Sequence, residues 1–88
     1  MRLRQGEIVT YHENGNIDSV GTYVDGVPHG ELKLYYPCGS IRAVVSYHHG
    51  MLDGMLNAWY EDGVVQRSES YIGGKFIGSN LVDISPVM

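Results

Sequence analysis

The amino-acid sequence predicts an all-β protein: a single open, twisted antiparallel meander sheet of about seven strands, built from three 24-residue β-hairpin repeats. Two observations carry this prediction. Glycines recur at a fixed spacing, and aromatic and aliphatic residues recur with them. No stretch of useful length shows the apolar spacing of a helix. The chain of 88 residues is long enough for one domain.

Ten of the twelve glycines fall into three rows whose members lie 24 residues apart. A period of this size indicates a repeat protein, in which each supersecondary unit stacks on the next. We therefore expect one domain over residues 1–88, with repeats at 6–29, 30–53 and 54–77 and a C-terminal strand and tail at 78–88. The rows are Gly6, Gly30, Gly54 and Gly78; Gly15, Gly39 and Gly63; and Gly26, Gly50 and Gly74.

Each repeat contains two strands joined by a short turn. Asn14-Gly15 lies between two strands, and this pair favours a two-residue type I′ turn because both central residues need positive φ. Asp62-Gly63 repeats the pair, and Cys38-Gly39 occupies the equivalent place. Longer connections, such as the one from Asp25 to Gly30, are expected between repeats.

These turns assign the strand residues to two faces, because side chains alternate along a strand. In the middle hairpin, Tyr36 then faces Ile41, Leu34 faces Ala43 and Leu32 faces Val45. The first face is nearly continuously apolar, and the second is polar except for one aromatic row. The first face carries Ile8, Ile17, Tyr23, Leu32, Leu34, Tyr36, Ile41, Ala43, Val45, Tyr47, Leu56, Ala58, Tyr60, Val65 and Tyr71; the second carries Tyr11, Asp18, Glu31, Lys33, Tyr35, Arg42, Ser46, Asn57, Trp59, Gln66, Ser68 and Ser70.

The apolar face of a single sheet needs a cover, because ordering costs roughly 1.5 kcal/mol per residue. The sheet could curl on itself, the segment Leu81-Val82-Asp83-Ile84 could fold over it, or a second protein could cover it. Arg67 and Glu69 replace aliphatic residues of this face in repeat three. We expect tight coverage around repeat two and a more open end at repeat three.

The composition argues against some classes of binding partner. Ten acidic and six basic residues give a net charge of -4, which argues against direct binding of nucleic acid and of anionic membranes. No run reaches the roughly 18 apolar residues of a membrane span. The segment from Met1 to Glu7 has no apolar core of a secretory signal, so we expect a cytoplasmic protein. The single cysteine excludes an internal disulfide.

Two groups of residues raise the question of catalysis or metal binding. Cys38 could act as a nucleophile with His48 or His49 as base, but no triad pattern accompanies it and it fills a turn position. The histidines, with His12 and His29, could bind a metal ion. Adjacent histidines on a strand point to opposite faces, however. The sequence therefore predicts no enzyme activity, no cofactor and no metal site.

The aromatic row of Tyr11, Tyr35 and Trp59 is the first candidate for partner binding. Tyr and Trp dominate the energetic centres of protein interfaces, and Asp18, Arg42 and Gln66 would form its polar rim. The alternative is a structural ladder that stiffens the sheet. Exposed edge strands offer a further route to a partner or a second copy.

Carboxylates crowd the third repeat and form the second candidate. They are Asp53, Glu61, Asp62 and Glu69. A solvated edge is one interpretation. The other is an acidic patch that meets a basic protein, such as the cleft of a nuclease or another nucleic-acid-processing enzyme.

The Tyr35-Tyr36 pair, Gly39 and the run Tyr47-His48-His49-Gly50-Met51-Leu52-Asp53-Gly54 resemble the bacterial MORN-variant repeat. Residues 59–63 and 71–78 repeat the pattern, whereas the first unit has Tyr11-His12 in place of the Tyr-Tyr pair. The resemblance implies an open antiparallel sheet that binds partners and has no catalytic centre. Similar bacterial proteins are grouped with antitoxins, and eukaryotic MORN domains are associated with membrane lipids and protein scaffolds.

The leading hypothesis is thus a non-enzymatic protein-binding module that inhibits or neutralises a target. It would resemble an antitoxin that binds a toxin, or a phage-encoded inhibitor of a bacterial defence enzyme. The competing hypothesis is a structural adaptor that forms a homodimer through an edge or through the apolar face. A lipid-binding or small-ligand module is the third.

Overall fold

The structure, a computed structural model, describes residues 5–80, which form one antiparallel sheet. Its seven strands follow one another in chain order, so the predicted fold class is confirmed: these residues form an open meander without a helix. No helix in this part of the chain could therefore cross a membrane. The segment from Leu81 to Ile84 lies outside the described residues. The strands are β1 (Gly6–Tyr11), β2 (Ile17–Val24), β3 (Val27–Tyr35), β4 (Ile41–His48), β5 (Met51–Trp59), β6 (Val65–Ile72) and β7 (Lys75–Ser79).

The connections between repeats are two-residue turns rather than the longer ones expected. Val24 pairs with Val27, which leaves only Asp25-Gly26 between β2 and β3. Asp25 (φ 52°) and Gly26 (φ 85°) both have positive φ, as a type I′ turn requires. His49-Gly50 and Gly73-Gly74 form the equivalent turns.

The turns within repeats are the longer ones, so the predicted type I′ turns at Asn14-Gly15, Cys38-Gly39 and Asp62-Gly63 are wrong. His12 N donates to Asn16 O (2.8 Å) and Gly15 N donates to His12 O (2.9 Å). Gly15 has positive φ, but Asn14 does not. This is a three-residue loop, a type I turn followed by a left-handed glycine. Asn14 Oδ1 accepts a hydrogen bond from Asn16 N (2.9 Å), so the asparagine stabilises the loop by bonding its own backbone two residues on.

The predicted pairing of the middle hairpin is confirmed away from the loop and wrong beside it. Leu34 pairs with Ala43, and Leu32 pairs with Val45. The register then shifts, so Tyr35 rather than Tyr36 pairs with Ile41. A bulge of this kind adds one residue to one strand and turns the following side chain to the other face.

The same shift occurs in every repeat and changes the composition of the two faces. Tyr11 pairs with Ile17, and Trp59 pairs with Val65. Directly paired residues share a face. Ile17, Ile41 and Val65 therefore lie on the aromatic face and not, as predicted, on the apolar one.

The sheet is one layer, with extents of 58 × 34 × 13 Å. The buried hydrophobic residues among 5–80 are Ala43, Val45 and Ala58, at the centre of the sheet. Leu34, Tyr47, Leu52 and Leu56 pack against them. Burial is thus concentrated at repeat two and the start of repeat three, and the β6–β7 end is open, as expected. No second layer covers the apolar face within the described residues.

Side chains link successive repeats through bonds to the backbone that recur every 24 residues. Asp25 N donates to Gln5 Oε1 (3.2 Å), His49 N to His29 Nδ1 (3.1 Å), and Gly73 N to Asp53 Oδ1 (3.3 Å). Each bond holds the first residue of a type I′ turn. Three different residue types serve one position because each offers an acceptor atom.

A second recurring set of bonds lies at the other end of the strands. Tyr36 Oη donates to Trp59 O (2.7 Å), and His12 Nε2 lies 2.8 Å from Tyr35 O. His12 thus makes the contact that the second tyrosine of the Tyr-Tyr pair makes in the next repeat. Although the first repeat lacks the Tyr-Tyr pair, its contact with the backbone of the next repeat is therefore kept.

Candidate functional site

An apolar stripe crosses one face of the sheet from β1 to β6, beside the three-residue loops. We define the stripe as the three pairs in which an aromatic residue faces an aliphatic one across neighbouring strands. Six strands set about 4.8 Å apart give it a length of about 24 Å. The sequence predicted its aromatic half and missed the aliphatic half. Its residues are Tyr11, Ile17, Tyr35, Ile41, Trp59 and Val65.

Much of the stripe is accessible. Tyr11 is 63% exposed, Ile17 40% and Val65 46%, while Tyr35, Ile41 and Trp59 are half-buried. Between the first two repeats, Ile17 and Tyr35 line a shallow depression of about 380 Å³. The stripe therefore offers a partner both an apolar surface and a shallow depression.

The loops beside the stripe are held in place by hydrogen bonds between repeats. Asn14 Nδ2 and Asn16 Nδ2 both donate to Pro37 O, at 2.8 and 2.7 Å. Ser40 Oγ donates to Glu61 O (3.3 Å), which is the contact of Asn16 moved on by one repeat. These bonds fix the spacing of neighbouring loops and so keep the stripe aligned.

The opposite face carries a groove of about 410 Å³. Its floor is apolar, and the side chains of Arg42, Gln66 and Arg67 line it as well. Arg42 and Gln66 were predicted at the rim of the aromatic row, but the bulge beside each loop brings them to the groove. The apolar and aromatic residues of the groove are Leu34, Tyr36, Ala43, Val45, Leu56 and Ala58.

Asp18 belongs with the groove side for the same reason. It is the equivalent of Arg42 in the first repeat, and its Oδ1 lies 3.4 Å from His12 Nε2. His12 is the equivalent of Tyr36, which lines the groove. None of the three predicted rim residues therefore borders the stripe.

The four carboxylates predicted to form an acidic patch do not come together. Asp53 and the Glu61-Asp62 pair lie at opposite ends of β5, at least about 20 Å apart. Asp62 Oδ1 accepts a hydrogen bond from Val64 N (3.0 Å), and Asp53 holds the turn at Gly73. The carboxylates of Asp53 and Asp62 therefore stabilise local turns.

Glu69 forms a polar triad with two residues of its own strand. Its Oε1 accepts hydrogen bonds from Arg67 Nη2 (2.7 Å) and Tyr71 Oη (3.0 Å). The bond from Arg67 lowers the pKa of Glu69, and the same bond raises the pKa of Arg67. Donation to the carboxylate raises the pKa of Tyr71. The triad satisfies charges that replace aliphatic residues on the groove side.

Cys38 lies at the opposite end of the sheet from His48 and His49, the two histidines considered as its base. Cys38 is exposed in the loop before β4, and His48 ends that strand about 23 Å away. The Sγ of Cys38 lies 3.2 Å from Ser40 Oγ. The structure does not bring the thiol to either imidazole that was considered as its base.

His29, His48 and His49 form a cluster that the sequence argument missed. The rings of His48 and His49 have centroids 4.3 Å apart, and each lies 4.9 Å from His29. The expectation that His48 and His49 point to opposite faces is wrong, because His49 lies in a turn with φ 50°. The 24-residue period could have predicted this cluster, because it places residue 29 beside the turn that contains residue 49.

Comparison with known protein families identifies the repeat. Residues 4–25 match the MORN repeat variant. This match covers the first hairpin, β1–β2, whose three-residue loop recurs in the second and third hairpins. A MORN repeat is consistent with a module that binds proteins or lipids. Comparison with curated proteins and with solved structures gave no match.

Proposed function

We propose that this protein is a non-enzymatic protein-binding module that covers and inhibits a target protein, in the manner of an antitoxin or of a phage inhibitor of a defence enzyme. The observation that carries the proposal is the stripe. A MORN repeat at residues 4–25 supports a binding role in general, and the stripe gives that role a surface.

The dimensions of the stripe suit a protein partner. A Tyr or Trp side chain buries roughly 150–250 Å² at an interface. Tyr11 offers most of its surface, at 63% exposed, whereas Tyr35 and Trp59 are half-buried and offer less. The three rings therefore supply the centre of an interface in which one partner buries roughly 800 Å². Ile17, Ile41 and Val65 fill the gaps between them. Few rotatable bonds keep the entropy cost of ordering these side chains low.

The net charge of -4 favours a basic target, since complementary charge speeds association and selects partners. A toxin or enzyme that acts on nucleic acid has such a surface, because it must neutralise phosphate groups. The inhibitor would then compete with the nucleic acid for a basic cleft.

Affinity capture tests the proposal. The tagged chain is used to isolate partners from its source cells, and the affinity of any partner recovered at fixed stoichiometry is measured with purified proteins. Trp59→Ala should weaken binding roughly 30-fold or more, as the loss of an interface hot spot does. Tyr60→Ala is the matched control, because Tyr60 is 50% exposed and is the equivalent of Tyr36 on the groove side.

Two results would contradict this proposal. A folded Trp59→Ala variant with unchanged affinity would remove the stripe as the binding face. Recovery of the chain only as a homodimer would favour the structural adaptor, which would associate through β1, β7 or the apolar face.

The groove supports lipid binding as a second candidate. Its apolar floor lies beside Arg42 and Arg67, an arrangement that suits an acyl chain with an anionic head group. The net negative charge opposes association with an anionic bilayer. Flotation with vesicles that contain phosphatidylserine decides the matter: binding that Arg42→Gln abolishes supports the lipid role, and no flotation removes it.

A further inference from the structure

Three histidines converge at the turn between β4 and β5, at the end of the sheet remote from the stripe. His29 lies in β3 and is half-buried, whereas His48 and His49 are exposed. Their ligand-forming nitrogens all lie within 4.8 Å of one another. No function argued above uses this cluster.

The convergence follows from two features of the backbone. His48 is the last residue of β4, and His49 is the first residue of the type I′ turn, with φ 50°. The left-handed conformation ends the strand alternation, so the two neighbouring rings meet at 4.3 Å. His29 is brought to the same place because its Nδ1 accepts the hydrogen bond from His49 N.

We propose that His29, His48 and His49 form a binding site for a divalent transition-metal ion, with Zn²⁺ as the natural occupant. Imidazole nitrogen is a preferred Zn²⁺ ligand, and three histidines leave the fourth position of a tetrahedral site for water or a side chain of a partner. Zn–N bonds of roughly 2.0–2.1 Å set the ligand nitrogens roughly 3.3 Å apart. Rotation of the two exposed side chains closes the remaining distance.

The hydrogen bond to His29 gives the site a specific signature. In the neutral ring, Nδ1 accepts from His49 N, and the proton therefore resides on Nε2. An ion that binds Nδ1 takes that lone pair. An ion that binds Nε2 moves the ring proton to Nδ1, which then cannot accept. Either way, metal binding releases the His49 amide from its acceptor.

The other repeats supply conservative replacements for each ligand. Gln5 is the equivalent of His29 and its Oε1 accepts from the turn amide, so His29→Gln removes the imidazole and keeps an acceptor. Val24 is the equivalent of His48, which gives His48→Val. His49→Asn suits a left-handed turn position. His12→Gln is the matched control, because His12 is the fourth histidine of the chain and lies outside the cluster.

Titration calorimetry with ZnCl₂ on metal-free protein is the test, with circular dichroism as a check of folding. The chain and His12→Gln should bind one ion each, and every cluster variant should bind at least tenfold more weakly. In ¹⁵N spectra, the His49 amide should shift on addition of Zn²⁺. The proposal is overturned if the chain binds no Zn²⁺, if folded cluster variants retain the affinity, or if His12→Gln alone loses it. None of these outcomes depends on the stripe.

Discussion

Tyr36 joins two repeats by donating a 2.7 Å hydrogen bond from its hydroxyl group to the main-chain oxygen of Trp59. The bond runs from the groove side of one repeat to the backbone of a stripe residue in the next. His12 makes the equivalent contact to Tyr35. In the first two repeats, the residue after the stripe aromatic therefore couples the two faces of the sheet, and the second tyrosine of the Tyr-Tyr motif has a structural role in repeat two.

Removal of the Tyr36 hydroxyl group should lower the free energy of unfolding by about 1 kcal/mol, the net value of a typical hydrogen bond. Tyr36→Phe keeps the ring and its packing and leaves the Trp59 oxygen without this donor. Tyr11→Phe is the control, since Tyr11 is 63% exposed. Urea denaturation measures both; equal stability of the two variants would show that the bond contributes nothing.

A glycine in the left-handed region should resist substitution even where there is room for a side chain. Gly39 has φ 98°, and a Cβ there would meet no atom within 4 Å. Gly39→Ala should cost about 1–2 kcal/mol for conformation alone. Gly78 has the same free space without the positive φ, so Gly78→Ala should not destabilise the protein. A similar loss in both variants would refute the conformational explanation.

The centre of the sheet should depend on Val45 far more than the stripe depends on Val65. Val45 is 6% exposed and Val65 46%. Val45→Ala should lower the free energy of unfolding by about 2 kcal/mol, and Val65→Ala by less than about 0.5 kcal/mol. Thermal denaturation compares them. If Val65→Ala proved equally destabilising, the stripe would be a structural ladder.

Glu69 should make the stability depend on pH in the acid range. Its lowered pKa means that the folded protein binds the carboxylate proton less readily than the unfolded chain. The stability it contributes is present above the unfolded pKa, near 4.5, and is lost as the pH falls through the folded value. Between pH 5 and pH 2, the wild-type protein should therefore lose more stability than Glu69→Gln.

The raised pKa of Tyr71 acts in the opposite direction. Its contribution is present below the ordinary tyrosine pKa and is lost as the pH rises through the higher folded value.

The Glu69 prediction is tested by denaturation midpoints measured between pH 5 and pH 2. Parallel curves for the wild type and Glu69→Gln would exclude a contribution of Glu69 to the pH dependence.

Sequence reasoning predicted the strands and the central pairing because these depend on a strict alternation repeated every 24 residues. The pairs Leu34–Ala43 and Leu32–Val45 follow from that alternation. The prediction placed type I′ turns within the repeats and longer connections between them, whereas the structure has the reverse. The reason is that Asn14-Gly15 has the composition of a type I′ turn and His49-Gly50 does not. Hydrogen bonds between repeats accompany both turns: Asn14 Nδ2 donates to Pro37 O in the next repeat, and His29 Nδ1 accepts from His49 N. These partners are 20 or more residues apart in the sequence.

The amino-acid sequence by itself determined the fold class, the meander order and the aromatic half of the stripe, since local periodicity encodes all three. Tertiary structure decided which residues share a face beside each loop. The bulge beside each three-residue loop brings Ile17, Ile41 and Val65 to the aromatic face, and the one in repeat two brings Arg42 to the groove. The histidine cluster was decided at the same level, because it depends on one left-handed residue and one hydrogen bond across 20 positions. Both features depend on contacts between neighbouring repeats, so the residue pattern of a single strand cannot predict them.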